Sequence, residues 1–178
     1  MSNSQFNDLN RSASSTSGRI QQALVEAEIN FATGVPCGVL RRVIDYLVCD
    51  ERVQHVIVNR ESEAIGVATG AYLAGRRPIV YMQNSGLFAA SNDISSLLIP
   101  YRVPLLMIVT LRGDEGEDAP QHLVNGAATT QLLESFRIPY TVYNANLDIH
   151  DTVLDLFKQA AATQLPTTLL LKRGWDKT

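Results

Sequence analysis

The chain has 178 residues, of which 46% are hydrophobic and 19% charged, and its formal net charge is −3. This length and composition are typical of one globular domain with enough apolar surface for a core. The weakly negative charge argues against a nucleic-acid-binding surface. No window approaches the roughly 18 uninterrupted apolar residues that a transmembrane helix needs. Two cysteines without a spaced framework favour a reducing, cytoplasmic setting.

The N-terminal segment MSNSQFNDLNRSASSTSG is polar and rich in serine. It lacks the apolar region of a secretory signal. We predict that residues 1–16 form a flexible tail and that residues 17–178 form a single domain.

Beyond this tail, short apolar runs alternate with segments of helical periodicity. In chain order we predict a strand in INFATG, a helix in GVLRRVIDYLVCD, a strand in VQHVIVN, a helix in SEAIGVATGAYLAG, a strand in RPIVYMQ, a helix in ASNDISSLLIP, a strand in VPLLMIVTL, a polar loop in RGDEGEDAPQH, a helix near 126–136, a strand in YTVYN, a helix near 148–163 and a strand in PTTLLLKR. This alternation predicts an α/β fold, a doubly wound parallel sheet with helices on both faces. Ligands of such sheets bind beyond the carboxyl ends of the strands. Those ends hold residues 34–37, 59–61, 83–86 and 112–122.

Two motifs favour structural interpretations. GAYLAGRR at residues 70–77 imitates a phosphate-binding loop, but Arg76 and Arg77 stand where Lys and then Ser or Thr are needed. The small residues of this helix instead predict close packing against a neighbour, and Gly75 is expected to end it. The acidic run DEGED at residues 114–118 is interpreted as a solvated loop, because it does not follow the calcium-loop pattern.

Three histidines and two cysteines remain as candidates for chemistry. Cys37 follows the first predicted strand, where a helix N-terminus can depress a thiol pKa, but its segment contains no base, so a small buried residue is the favoured interpretation. His122 lies in the polar loop at the functional edge of the sheet, which leaves a site role and a structural role equally open. Structural or exposed positions are expected for His55 and His150.

Glu61 and Glu63 stand where the small-residue helix begins. Two positions on a helix are separated by about 200°, so only one of these carboxylates can face a given site. Glu61 is nearer the end of the preceding strand, where a first helical turn meets the ligand crevice. Glu63 is interpreted as a solvated residue that favours the helix dipole. The residues alone leave the same capping role open for Glu61.

The stretch NRESEAIGVATGAYLAGRRPIVYMQNSGL, with VPLLMIVTLRGDEGEDAPQH after it, resembles the pyrimidine-binding domain of thiamine diphosphate enzymes. More narrowly, residues 28–172 are similar to the phosphonopyruvate and sulfopyruvate decarboxylases. In this family a glutamate precedes a helix glycine by nine residues, which is the spacing of Glu61 and Gly70. The resemblance therefore implies that Glu61 bonds nitrogen N1′ of the cofactor's aminopyrimidine and promotes its active tautomer. A pocket of small apolar residues would keep that acid partly protonated.

The resemblance implies further site residues with assigned roles. His122 resembles a histidine that transfers protons in related 2-oxo acid decarboxylases. Cofactor contacts are expected from Pro36, Gln83, Ser85 and Gly86, and substrate contacts from Cys37, Asn84, Arg112 and Gln121. The chain departs from the family where SGLGN is usual, because Phe88 and Ala89 follow Leu87. This departure allows a different substrate.

The diphosphate half of such enzymes binds magnesium through a GDG motif and a later Asn, and no GDG occurs here. The resemblance therefore implies an alpha subunit without a metal ligand of its own. A beta subunit with the diphosphate-binding domain would hold Mg²⁺ and the diphosphate, giving a hetero-oligomer of two or more pairs. The implied reaction is decarboxylation of phosphonopyruvate or sulfopyruvate to the aldehyde and carbon dioxide. A carboligase subunit and a non-catalytic α/β binding module remain open.

Overall fold

The computed structural model describes residues 15–114 and 119–177. These residues form one six-stranded sheet with the strand order β2-β1-β3-β4-β6-β5, and all neighbouring strands are parallel. The strands are β1 (Phe31–Gly34), β2 (Gln54–Ile57), β3 (Pro78–Gln83), β4 (Leu106–Leu111), β5 (Tyr140–Val142) and β6 (Thr167–Lys172). The predicted doubly wound parallel sheet is confirmed.

Helices connect the strands and cover both faces of the sheet. They are α1 (Thr16–Glu26), α2 (Arg41–Cys49), α3 (Glu61–Leu73), α4 (Asn84–Ala89), α5 (Ser91–Asp93), α6 (Pro120–Ser135) and α7 (Ile149–Thr163), with short helical turns at Gly38–Leu40, Ile94–Leu98 and Trp175–Lys177. Within the described residues, no helix is both long and apolar enough to cross a membrane.

Helix α1 is absent from the sequence prediction, which places its first residue in the tail. Ser15 caps this helix, since its hydroxyl accepts a hydrogen bond from the backbone N–H of Gly18. Thr16 is already buried. The remaining residues of the predicted tail, 1–14, lie outside the described residues.

The core consists of two apolar clusters, one on each face of the sheet. Helices α1, α2 and α7 pack on one face, with the turn that contains Trp175. Helices α3, α4 and α6 pack on the other. Strand β4 lies between them and is buried along its whole length. A fully buried aliphatic side chain of this kind stabilises the fold by about 1.5–3 kcal/mol.

The starts of α6 and α4 differ from the sequence prediction. Helix α6 begins at Pro120, not near residue 126, because proline at the first helical position has its φ already set and lacks only an N–H that would be unpaired there. Helix α4 begins directly at Asn84, within the predicted strand-end turn. Strand β2 is at the edge of the sheet, and Ile57 is 58% exposed there.

The strand order reverses at β1, which pairs with β2 on one side and with β3 on the other. In an open α/β sheet such a switch point forms a crevice outside the carboxyl ends of the strands. The turns after β1 and β3 diverge here. Cys37, Gln83 and Ser85 lie together at these strand ends.

Candidate functional site

The two glutamates that begin α3 have different environments. The Glu63 carboxylate accepts hydrogen bonds from the backbone N–H groups of Asn59, at 3.1 Å, and Arg60, at 3.3 Å, and so caps the helix. The Glu61 carboxyl is half-buried and has no hydrogen-bond or ionic partner within residues 15–114 and 119–177. The capping role that the sequence left open for Glu61 is therefore taken by Glu63.

Glu61 packs against Gly86 in the first turn of α4. A Cβ atom on residue 86 would lie 2.3 Å from the Cγ, Cδ and Oε1 atoms of Glu61. Only glycine allows the carboxyl to lie this close to the backbone of α4. The contact brings the turn after β2 together with the turn after β3.

A group of polar side chains lies at the ends of β1, β3 and β4. The thiol of Cys37 is 3.7 Å from the hydroxyl of Thr110 and 4.0 Å from Oε1 of Gln83. The amide of Gln83 in turn donates to the hydroxyl of Ser85 at 2.8 Å. Cys37, Gln83 and Ser85, which the sequence predicts as site residues, therefore lie close together. Thr110 escaped prediction, although a lone threonine at the end of the apolar run VPLLMIVTL could have signalled it.

Asn84 differs from its predicted role as a substrate-binding residue. Its side chain is 1% exposed and already engaged. The amide nitrogen donates to the carbonyl of Arg112, at 2.9 Å, and to the hydroxyl of Thr129, at 3.0 Å, and the amide oxygen accepts from the N–H of Arg112 at 3.3 Å. Asn84 therefore ties the end of β4 to α6. Such a buried amide costs free energy when it loses its partners.

His122 lies in the first turn of α6 and not in the polar loop where the sequence places it. Gly113, with φ +78°, lies so close that a Cβ there would be 1.9 Å from the His122 carbonyl oxygen. A Cβ on Gly126 would likewise be 2.1 Å from the Gly113 oxygen. These two glycines let the backbone after β4 lie directly on α6. His122 is half-buried, and its neighbour Gln121 is exposed.

The remaining predicted residues lie at the same edge of the sheet. Pro36 is exposed in the turn after β1, and Arg112 is half-buried after β4. The carboxylate of Asp114 pairs with the ammonium of Lys172 at 2.5 Å. Residues 115–118, the rest of the acidic run, lie outside the described residues.

Two features lie apart from this edge. A cavity of about 520 Å³ opens at the amino ends of the strands, between α1, α3 and α7. At the start of α7, donor atoms of Asp148, His150 and Asp151 lie within 4.8 Å of one another. Asp148 is engaged in capping α7 and in an ion pair with Arg19. The cluster is accounted for by these contacts.

No protein-family model matches this sequence. The chain is 38% identical to the alpha subunit of sulfopyruvate decarboxylase from Methanococcus maripaludis, over 85% of this chain and 91% of that one. The corresponding subunit from Methanothermobacter thermautotrophicus is 35% identical, over 88% of this chain and 94% of that one. Phosphonopyruvate decarboxylase from Streptomyces viridochromogenes is 34% identical over 82% of this chain, which spans only 37% of that protein.

Among solved structures, the chain is similar to the 2-oxoglutarate:ferredoxin oxidoreductase of Magnetococcus marinus, with a TM-score of 0.69. The alignment covers 91% of this chain and 29% of that one, at 14% sequence identity. At this identity the likeness shows a shared α/β fold and no more.

Proposed function

Since this chain belongs to the family of the sulfopyruvate and phosphonopyruvate decarboxylases, we propose that it is the alpha subunit of a two-chain, thiamine diphosphate-dependent carboxy-lyase. Its substrate would be sulfopyruvate or phosphonopyruvate, and its products the corresponding aldehyde and carbon dioxide. The observation that carries the proposal is the carboxyl of Glu61, which lies against Gly86 at the carboxyl ends of the strands and has no partner among the residues that the structure describes.

The residues at this edge fit an aminopyrimidine. A carboxyl group without a hydrogen-bond or ionic partner among the described residues is able to bond a ring nitrogen, and Gly86 allows this carboxyl to lie against the backbone of α4. Thiamine diphosphate, when bound, supplies the electron sink that makes loss of carbon dioxide possible. In the proposal Glu61 would bond nitrogen N1′ of the aminopyrimidine and hold a proton there, and Pro36, Gln83 and Ser85 would help to hold the cofactor.

The substrate side of the site is assigned to the ends of β1 and β4. Cys37 and Thr110 would line it, and the thiol of Cys37 lies 3.7 Å from the hydroxyl of Thr110. Arg112 would attract an anionic head group, because a guanidinium matches the geometry of oxyanions. His122, held on α6, would move a proton to or from the product. Gln121 is exposed next to His122 and would contact the substrate.

In the proposal, a partner chain binds the exposed face of α3. Cβ atoms built on Gly66 and Gly70 meet nothing within 4 Å, and Leu73 is 77% exposed. These two glycines therefore leave this face of α3 open to a neighbour. Small residues one helical turn apart allow a second backbone to approach closely. Several relatives are named as alpha subunits, which supports a partner subunit. In the proposal this beta subunit would hold the diphosphate and Mg²⁺.

The test is to co-purify this chain with a candidate partner that carries GDG and a downstream Asn. Carbon dioxide release is then measured with thiamine diphosphate, Mg²⁺ and each of sulfopyruvate, phosphonopyruvate and pyruvate. We expect release only from the two-chain complex. Appreciable decarboxylation by this chain alone would contradict the two-chain arrangement. A stable complex that releases no carbon dioxide would favour a carboligase.

Glu61 is tested in the same complex by Glu61→Gln, with Glu63→Gln as the matched control. We expect the first change to reduce turnover by about 100-fold or more, the range of a lost general acid–base group. The second should leave turnover near the wild-type value, because Glu63 only caps the helix. Equal activity of Glu61→Gln and the wild type would remove Glu61 from the mechanism.

A further inference from the structure

A second concave surface lies at the carboxyl ends of β1, β4 and β6, with a volume of about 430 Å³. Three cations line it, namely Arg112, Arg173 and Lys177. The backbone of the turn after β1, at Gly38, forms the opposite wall. The volume is within the range of small-molecule sites, which is roughly 300–1,000 Å³.

The turn that carries Arg173 and Lys177 is held in place by contacts within the fold. Gly174, with φ +82°, turns the chain back over the sheet after β6. Trp175 is 4% exposed, and its indole N–H donates to the carbonyl of Val39 at 3.0 Å. These contacts fix the C-terminal turn against the turn after β1, so Arg173 and Lys177 are held beside Gly38.

Among the described residues, the side chains of Arg173 and Lys177 have no carboxylate partner. Asp176 is the carboxylate among the lining residues, and it is paired with Arg42 at 2.8 Å. Its charge is therefore offset from outside the cavity. A concave surface lined by cations focuses its potential and concentrates anions. The guanidinium of Arg173 and the ammonium of Lys177 provide charged donors for a tetrahedral oxyanion.

We propose that this cavity binds a tetrahedral oxyanion of the phosphonate, sulfonate or phosphate class. The cavity adjoins the polar group described above, since Gly38 follows Cys37 and Arg112 lies two residues after Thr110. On the proposed function, which this second step requires, the oxyanion is the head group of the substrate. Arg173 and Lys177 would then discriminate sulfopyruvate and phosphonopyruvate from plain 2-oxo acids.

The anion site is tested first without any assay of activity. Methylphosphonate and inorganic phosphate are titrated calorimetrically into the full-length chain and into its complex with the partner. We expect binding that weakens about 10-fold or more in the Arg173→Gln, Lys177→Gln double variant, because two charge-assisted hydrogen-bond donors are lost. Lys158→Gln, an exposed lysine on α7, is the matched control and should bind like the wild type. No binding, or equal binding by the double variant, would overturn the proposal.

The source of the oxyanion is tested by kinetics of the complex. If the head group of the substrate binds here, the double variant raises KM for sulfopyruvate or phosphonopyruvate about 10-fold and leaves KM for pyruvate unchanged. Loss of phosphate binding with an unchanged KM ratio would assign the site to a free anion and reject the head-group role. A wild-type complex without decarboxylase activity would reject the proposed function, whereas the calorimetric result would still decide the anion site.

Discussion

The side chain of Glu61 lies so close to the Cα atom of Gly86 that no methyl group fits between them. Gly86→Ala must therefore displace either the carboxyl or the first turn of α4. We expect turnover of the two-chain complex to fall about 100-fold, because misplacing a catalytic group by about 1 Å costs that order of rate. The measurement is steady-state carbon dioxide release, with circular dichroism to confirm folding.

The control for this change is Asn92→Ala, an exposed position shortly after α4. It should match the wild type in both turnover and melting temperature. Wild-type turnover in Gly86→Ala would mean that the carboxyl of Glu61 does not need this position, and the proposed role of the contact would be rejected.

The hydrogen bond between Asn84 and Thr129 predicts a loss of stability. Thr129→Val keeps the shape of the side chain but leaves the buried amide of Asn84 without one acceptor. We expect the free energy of unfolding to fall by about 1–3 kcal/mol, measured by urea denaturation. Thr163→Val, whose hydroxyl bonds only the carbonyl of Gln159 on an exposed helix end, is the control. Equal losses of unfolding free energy in the two variants would show that the hydrogen bond to the Asn84 amide does not add to stability.

The open space over Gly66 and Gly70 predicts opposite effects of one double substitution on the stability of the chain and on its association with a partner. Alanine favours a helix over glycine by about 1 kcal/mol, so Gly66→Ala, Gly70→Ala should raise the melting temperature of the isolated chain. The same methyl groups should weaken association with the partner by at least about 10-fold, because they occupy the approach surface. Gln159→Ala, on the opposite face of the sheet, should leave association unchanged. Unimpaired association of the double alanine variant would place the partner elsewhere.

The ion pair of Asp50 and Arg52 predicts a pH dependence of stability. Hydrogen bonds from Arg52 lower the pKa of Asp50 from 3.8 to about 2, and the hydroxyl of Tyr46 also donates to this carboxylate. Because the folded-state pKa is depressed, the stabilisation is fully present above pH 3.8 and is lost as the pH falls towards 2.

Asp50→Asn should therefore reduce the free energy of unfolding by about 1 kcal/mol near neutral pH, because solvent screens the charge of the exposed Arg52. The difference from the wild type should shrink as the pH falls from about 4 to about 2. Chemical denaturation at several pH values measures it, with Asp155→Asn, an exposed residue, as the control. A difference that stays constant across this range would refute the assignment to ionisation of Asp50.

Much of the fold follows from patterns visible in the sequence. Apolar runs such as VPLLMIVTL have the continuous hydrophobicity of a strand covered on both faces, and β4 is buried throughout. The start of α6 was harder to predict, because the polar residues around Pro120 are equally compatible with a loop. Helix α1 is absent from the sequence prediction because Ser15, its capping residue, is one of several serines in a polar segment that resembles a flexible tail.

The candidate site divides in the same way. The position of Glu61 at a strand end indicated a ligand crevice, but only the structure shows that Glu63 takes the capping bonds. The burial of Asn84 depends on contacts with Arg112 and Thr129, which are 28 and 45 residues away in sequence. Spacing along the chain carries no signal for such long-range contacts. Site membership can be proposed from sequence, whereas the partner of each polar atom requires coordinates.

The contacts among Asn84, Gly113 and α6 have a consequence for engineering. They hold together the two ends of the stretch from Asp114 to Ala119, one through Arg112 and the other through the first turns of α6. Because both anchors are fixed by the scaffold, a longer connection between them should leave the fold intact. Longer connections cost little in closure entropy, about 0.6 kcal/mol for each doubling of length.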